Sequence, residues 1–144
     1  MRSSLKNKFL FNFLKTGISV VVIILSFAFT QKKEVWTAPA SAQKKTNPIE
    51  ANVVNLASGK KSYEKECLSC HGRKGKGDGP SSVTLDVIPG DLSSAKVQDQ
   101  TDGEIFWKIT EGKKPMPTSK LTLTDDQRWE VVNYVRTLKK KTSK

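Results

Sequence analysis

Apolar residues recur at helical spacing in three stretches of this chain, and no stretch shows the strict alternation of a strand. From about Val53 to Glu66, Leu56, Gly59, Tyr63 and the following Cys67 fall on one stripe of a predicted helix. Gly59 in mid-helix costs about 1 kcal/mol relative to alanine, a cost accepted where a second helix must come close. Thr101-Asp-Gly-Glu104 is a capping box that opens a short helix carrying Ile105, Phe106 and Ile109, with Gly112 as its stop. A second box, Thr124-Asp-Asp-Gln127, opens the last helix, which runs to about Leu138. Its stripe is Val131, Tyr134, Val135 and Leu138, with Trp129 and Val132 at the rim. Lys139, Lys140 and Lys141 then suit the negative end of the helix dipole. Residues 72–80 read as a glycine-rich turn without the Gly-Lys-Ser/Thr ending of a phosphate loop. Residues 81–98 read as irregular loop with Leu85, Val87 and Leu92 turned inward. The pattern predicts an all-α domain.

The N-terminus has a different pattern. Arg2, Lys6, Lys8 and Lys15 precede a run from Ile18 to Leu25 that is apolar except for Ser19, the layout of a secretory signal. Cleavage after Ser26-Phe27-Ala28 fits better than after Ala40-Ser41-Ala42, which lies beyond three charges. The other reading is an uncleaved anchor over residues 10–29, since ~20 apolar residues cross a bilayer. The expected organisation is a signal or membrane anchor over 1–30, a flexible linker over 31–52, the domain over 53–141 and a tail over 142–144. Trp36 in the linker either packs on the domain or sits at a membrane interface.

Charge narrows the class of partner. The chain carries a formal net charge of +11, and without its first thirty residues it still holds 21 basic against 14 acidic groups. No basic helix is interleaved with aromatics, so nucleic acid is not the expected partner. An acidic face on another protein, or an anionic membrane surface, suits the balance better. Five of the six phenylalanines lie in the first thirty residues, so the exported part is a single small domain poor in large apolar side chains. A domain of that size needs a staple.

Cys67-Leu68-Ser69-Cys70-His71 supplies one. Cys-x-x-Cys-His is the attachment signature of a c-type haem. Two thiols on one helical turn reach the porphyrin vinyl groups, and the adjacent imidazole falls under the iron. The chain has two cysteines and one histidine, all in this pentapeptide, so a structural zinc site lacks its second ligand pair. No βαβ setting surrounds the pair, as a thioredoxin-like motif would want; a Cys67–Cys70 disulfide is left open for a chain without haem. With a haem as its core, the apoprotein is expected to lack stable packing, and a Cys67→Ala/Cys70→Ala chain to melt without cooperativity.

Opposite His71 the iron needs a sixth ligand or an open face. Met116 lies in Pro115-Met116-Pro117, and two prolines fix φ on either side and stiffen the loop that presents its thioether. Here the chain resembles the class I, monohaem cytochromes c of the small bacterial type, through Gly59-Lys-Lys-Ser-Tyr63, Cys67-x-x-Cys-His71, Gly79-Pro80, Met116 and Arg128-x-x-Val131-Val-x-Tyr134-Val135. The resemblance implies a small cytochrome c fold of three to four helices around one covalently attached haem. It implies that the first and last helices cross at Gly59 and Tyr63, and that the Pro80 carbonyl accepts the imidazole N–H. Trp107 and Lys96 are candidates to hold the haem propionates.

The expected function is a monohaem one-electron carrier, ligated by His71 and Met116, working between exported or membrane-bound redox partners. The site residues are Cys67, Cys70, His71, Met116 and Pro80; the cofactor is one haem c; the protein is a monomer, periplasmic, free or tethered by its N-terminus. It is expected to be an electron-transfer protein rather than an enzyme. The alternative is a haem-bearing relay subunit of a larger oxidoreductase or terminal oxidase. A peroxidase-like or gas-sensing haem would want a distal acid–base group, and there is no second histidine to serve.

Overall fold

The computed structural model describes residues 35–140. The expected signal or anchor over 1–30 and the tail over 142–144 lie outside them. Six helices follow in order: α1 (Ala40–Gln43), α2 (Val53–Glu66), α3 (Leu68–His71), α4 (Ala95–Gln98), α5 (Asp102–Glu111) and α6 (Asp125–Thr137), with a 3-10 turn at Pro80–Thr84. Among the described residues there is no strand, and the one isolated bridge joins Lys113 to Met116. None of their helices is long and apolar enough to cross a membrane.

The three long helices start where short polar side chains satisfy the free amides of the first turn. Asn52 accepts from the Asn55 amide at the head of α2. Thr101 and Glu104 form the expected capping box on α5, and Thr124 and Gln127 form the one on α6. α2 and α6 cross at Gly59, where a β-carbon would collide with the Glu130 carbonyl. That contact is why a glycine is kept in mid-helix. One turn on, the Tyr63 and Tyr134 rings meet at 5.1 Å and 54°. α5 lies on the other side of α6, with Phe106 stacked on Trp129 at 3.9 Å and 16°. The core is Tyr63, Ile105, Phe106, Ile109, Leu123, Trp129, Val131, Val132 and Val135. Trp129 and Val132 are therefore core residues, not rim: α5 covers the side of α6 that the stripe left open.

Two further expectations change. Residues 81–98 contain the 3-10 turn and α4 rather than unbroken loop; Leu92 packs on the core, but Val87 is 54% exposed. The segment read as a flexible linker is in its second half a strap on the domain. From Thr37 onward the chain clusters as one compact unit. Ala38 and Ala42 are buried, and a β-carbon on Gly103 of α5 would collide with the Ala42 carbonyl. The Asn47 amide donates to Asn133 Oδ1 at 2.8 Å and to the Trp129 carbonyl at 3.3 Å, while the Asn133 amide donates to the Ile49 carbonyl at 2.9 Å. These are polar contacts made by asparagine side chains, and they leave no apolar period in the strap itself.

Candidate functional site

Cys67 caps the C-terminus of α2 and opens α3, so the same turn carries Cys67, Cys70 and His71. The Cys70 and His71 amides both return to the Cys67 carbonyl, at 3.2 and 2.9 Å. Tyr63, one turn earlier, donates its hydroxyl to the Gly72 carbonyl at 2.7 Å and so ties α2 to the exit of the motif. Both cysteines are free thiols. Burial, helped by Glu66 and Cys70, pushes the Cys67 thiol up to about 12, so it sits as a neutral sulfur against the core.

After His71 the glycine-rich turn folds back on the helix that it leaves. The Gly77 amide donates to the His71 carbonyl at 2.9 Å and the Gly79 amide to the Cys70 carbonyl at 3.1 Å. Gly77 has φ of 77°, and a β-carbon there would strike the Pro89 carbonyl. The Leu92 amide then donates to the Gly75 carbonyl at 2.6 Å, which zips residues 89–92 along the turn. This brings the Gly90 carbonyl to 3.2 Å from His71 Nδ1. Pro80 is not the acceptor: it opens the 3-10 turn, with Gly79 packed on the carbonyls of Leu68 and Ser69. The chain comes back to the imidazole at Gly90, ten residues after Pro80. The missed signal was a second turn signature, Pro89-Gly90-Asp91.

A carbonyl only accepts, so this contact makes Nδ1 the protonated nitrogen and leaves Nε2 with its lone pair free for a metal. Burial also holds the imidazole below its ordinary value, against the upward pull of the Gly90 carbonyl, so it is neutral at pH 7. Two free thiols and a neutral imidazole of fixed tautomer on one turn are the donor set that haem c requires. Among the described residues no cluster of three or more His, Cys, Asp or Glu could hold a bare metal ion.

Met116 lies in a loop bound back onto α5. Gly112 ends the helix with φ of 66°, and the Met116 amide donates to the Lys113 carbonyl at 2.9 Å. Beyond Pro117, Thr118 Oγ1 donates to the Thr110 carbonyl at 2.6 Å and the Ser119 amide to the Ile109 carbonyl at 3.2 Å. Met116 is half-buried and packs against the same core cluster as Cys67. Of the propionate candidates, Trp107 is half-buried on α5 and Lys96 is exposed on α4.

A family model described as cytochrome C oxidase, cbb3-type, subunit III matches residues 54–135. Among solved structures, the chain is similar to one in the Kuenenia stuttgartiensis reducing HAO-like protein complex Kustc0457/Kustc0458, at 31% identity and a TM-score of 0.59. That match covers 65% of this chain and 47% of the other, so this chain spans about half the length of that neighbour. It is also similar to the KustC0563 c-type cytochrome, at 30% identity and a TM-score of 0.50, over 57% of this chain and 98% of that one. No curated protein matches.

Proposed function

This chain belongs to the cytochrome c family and transfers electrons on one haem c held through Cys67 and Cys70, and from that premise we propose that His71 and Met116 are the two axial ligands of its iron. Bound haem c supplies a one-electron Fe(II)/Fe(III) couple. The observation that carries the reading is the 3.2 Å contact of His71 Nδ1 with the Gly90 carbonyl, which directs the free lone pair of Nε2 to a metal. Met116 is the partner ligand because its loop is fixed on both sides, by prolines and by the bonds of Thr118 and Ser119 to α5. His71 and Met116 would both hold the haem, which would supply electron transfer rather than a site for a substrate. The chain's part is to hold two ligands still while the charge on the iron changes by one.

Redox proteins are the partners, and an acidic docking face is the chemistry that the lysine-rich surface would meet. An exported, periplasmic monomer, with residues 1–30 as signal or anchor, completes the reading. Partner turnover is expected to fall as ionic strength rises, because exposed charges are screened beyond ~8 Å at physiological salt; a rate flat with salt counts against charge-steered docking. The ligation is tested by visible spectra of haem-loaded protein, oxidised and reduced, with and without carbon monoxide, beside Met116→Ala. Indifference to carbon monoxide, with a far-red sulfur-to-iron band lost in the variant, is the expected result. Ready carbon monoxide binding by the unmutated protein overturns it.

A second reading has its own support. The family model describes an oxidase subunit, and one structural neighbour stands in a protein complex. Under this reading the domain is a fixed relay within a larger oxidoreductase, and it would co-purify with that enzyme in constant ratio through a salt wash.

A further inference from the structure

The residue whose carbonyl meets the imidazole has no side chain to anchor it. Gly90 is exposed, and a β-carbon built on it meets nothing within 4 Å. Its carbonyl is therefore held in place by its flanks. On one side the Pro89 carbonyl lies against Gly77. On the other, several ties converge on Asp91 and Leu92, among them Ser94 Oγ donating to the Asp91 carbonyl at 2.6 Å and Lys140 Nζ to Asp91 Oδ2 at 3.3 Å. The Leu92 amide bonds Gly75, as described above. Asp91 Oδ1 accepts from the Ser93 amide at 2.9 Å and from the Ser93 hydroxyl at 2.5 Å. Gln98, at the end of α4 and only 8% exposed, donates its side-chain amide to the Leu92 carbonyl at 2.7 Å and to the Val135 carbonyl of α6 at 3.0 Å. Gln98 is itself fixed, since Arg136 Nη1 donates to its carbonyl at 2.8 Å while Nε of the same guanidinium holds Asp102 at 2.8 Å. One buried, uncharged side chain thus bolts the loop that bears the imidazole's acceptor to α6, the helix that carries the fully buried Val131 and Val132.

We propose that Gln98 is a positioning residue for His71, acting through the Leu92–Gly90 segment to hold the carbonyl that accepts the imidazole Nδ1–H. This rests on His71 being an axial ligand. The physical consequence has a definite sign. A firm Nδ1–H···O=C bond makes the imidazole a more basic ligand, which favours the higher charge on the metal. Loosening the carbonyl weakens that donation, so the oxidised state loses more than the reduced one and the midpoint potential rises.

Gln98→Met tests it in the full-length, haem-loaded protein, because methionine has similar length, no charge and no donor. The expected results are a positive shift of the midpoint potential and faster solvent exchange of the His71 Nδ1–H in the reduced state. Asn133→Leu, which breaks the strap's contact with α6, is the control: its unfolding temperature is expected to fall with the potential unmoved. An unmoved potential in Gln98→Met, or an equal shift in Asn133→Leu, overturns the role of Gln98. Should Gln98→Met fail to fold, Ser93→Ala decides. It is small and neutral, removes one of the two bonds to Asp91 Oδ1, and is expected to shift the potential the same way; no shift overturns the proposal. A wild-type spectrum without histidine ligation would instead sink the reading beneath it, and is seen before any variant is made.

Discussion

Two glycines with opposite surroundings show how single residues divide the work. At Gly59 the added carbon of alanine has to displace the Glu130 carbonyl of the crossing helix. Overpacking of this kind costs roughly 1–3 kcal/mol, so Gly59→Ala is expected to lower the urea midpoint of the loaded protein by that equivalent. At Gly90 the same carbon enters open space, and only the backbone carbonyl is used. Gly90→Ala is expected to leave both the midpoint and the visible spectrum as they are. The two results together would separate a glycine kept for room from one whose side chain is irrelevant. Cys67, Cys70, His71 and Met116 were legible as a site because each carries its own chemistry. Gly90 was not, because Pro89-Gly90-Asp91 marks a turn but does not say that its carbonyl will meet an imidazole nineteen residues away.

Elements whose signals are local were read well. The capping boxes of α5 and α6 lie within four residues, and the stripe of α2 ends at the cysteine it delivers. The strap was not legible, because its contacts are made by asparagines and main-chain carbonyls across a long separation. Gly103, in the first turn of α5, and Asn133, in the interior of α6, are its mark on the rest of the sequence. Asn47→Ala removes the donor to Asn133 and Trp129 and leaves those acceptors without their partner, at a cost of about 1–3 kcal/mol. A urea melt of the loaded protein checks this; an unchanged midpoint would mean that the strap contributes nothing to stability. The same reasoning explains the rim error on α6. A stripe tells which face of a helix is apolar, but not that a second helix and its Phe106 will cover the neighbouring face as well.

For the whole molecule, the buried groups set a direction for pH. Burial lowers the folded-state value of His71 from the ordinary 6.5, so the unfolded chain takes up the proton first. The stabilisation is complete above that ordinary value and is lost as pH falls through the lowered one. Iron ligation, which also needs the neutral ring, carries the same sign. Asp91 adds a second step: the Ser93 hydroxyl, and then Lys140, lower it from 3.8, and its contribution disappears below that value. Urea midpoints measured downward from pH 7 are expected to start declining as pH falls below 6.5 and to decline again below 3.8; a profile that stays flat as pH falls from 6.5 to 3.8 would contradict the role given to His71. The strap has a consequence of another kind. It is clipped to α6 at Asn47, before the chain reaches Asn52 and α2. A pull applied upstream of Thr37 therefore meets that clip before it meets α2, as strain relief takes tension on a cable before the terminals do. The helix that delivers Cys67 thus lies behind the clip for any tension that arrives along the strap.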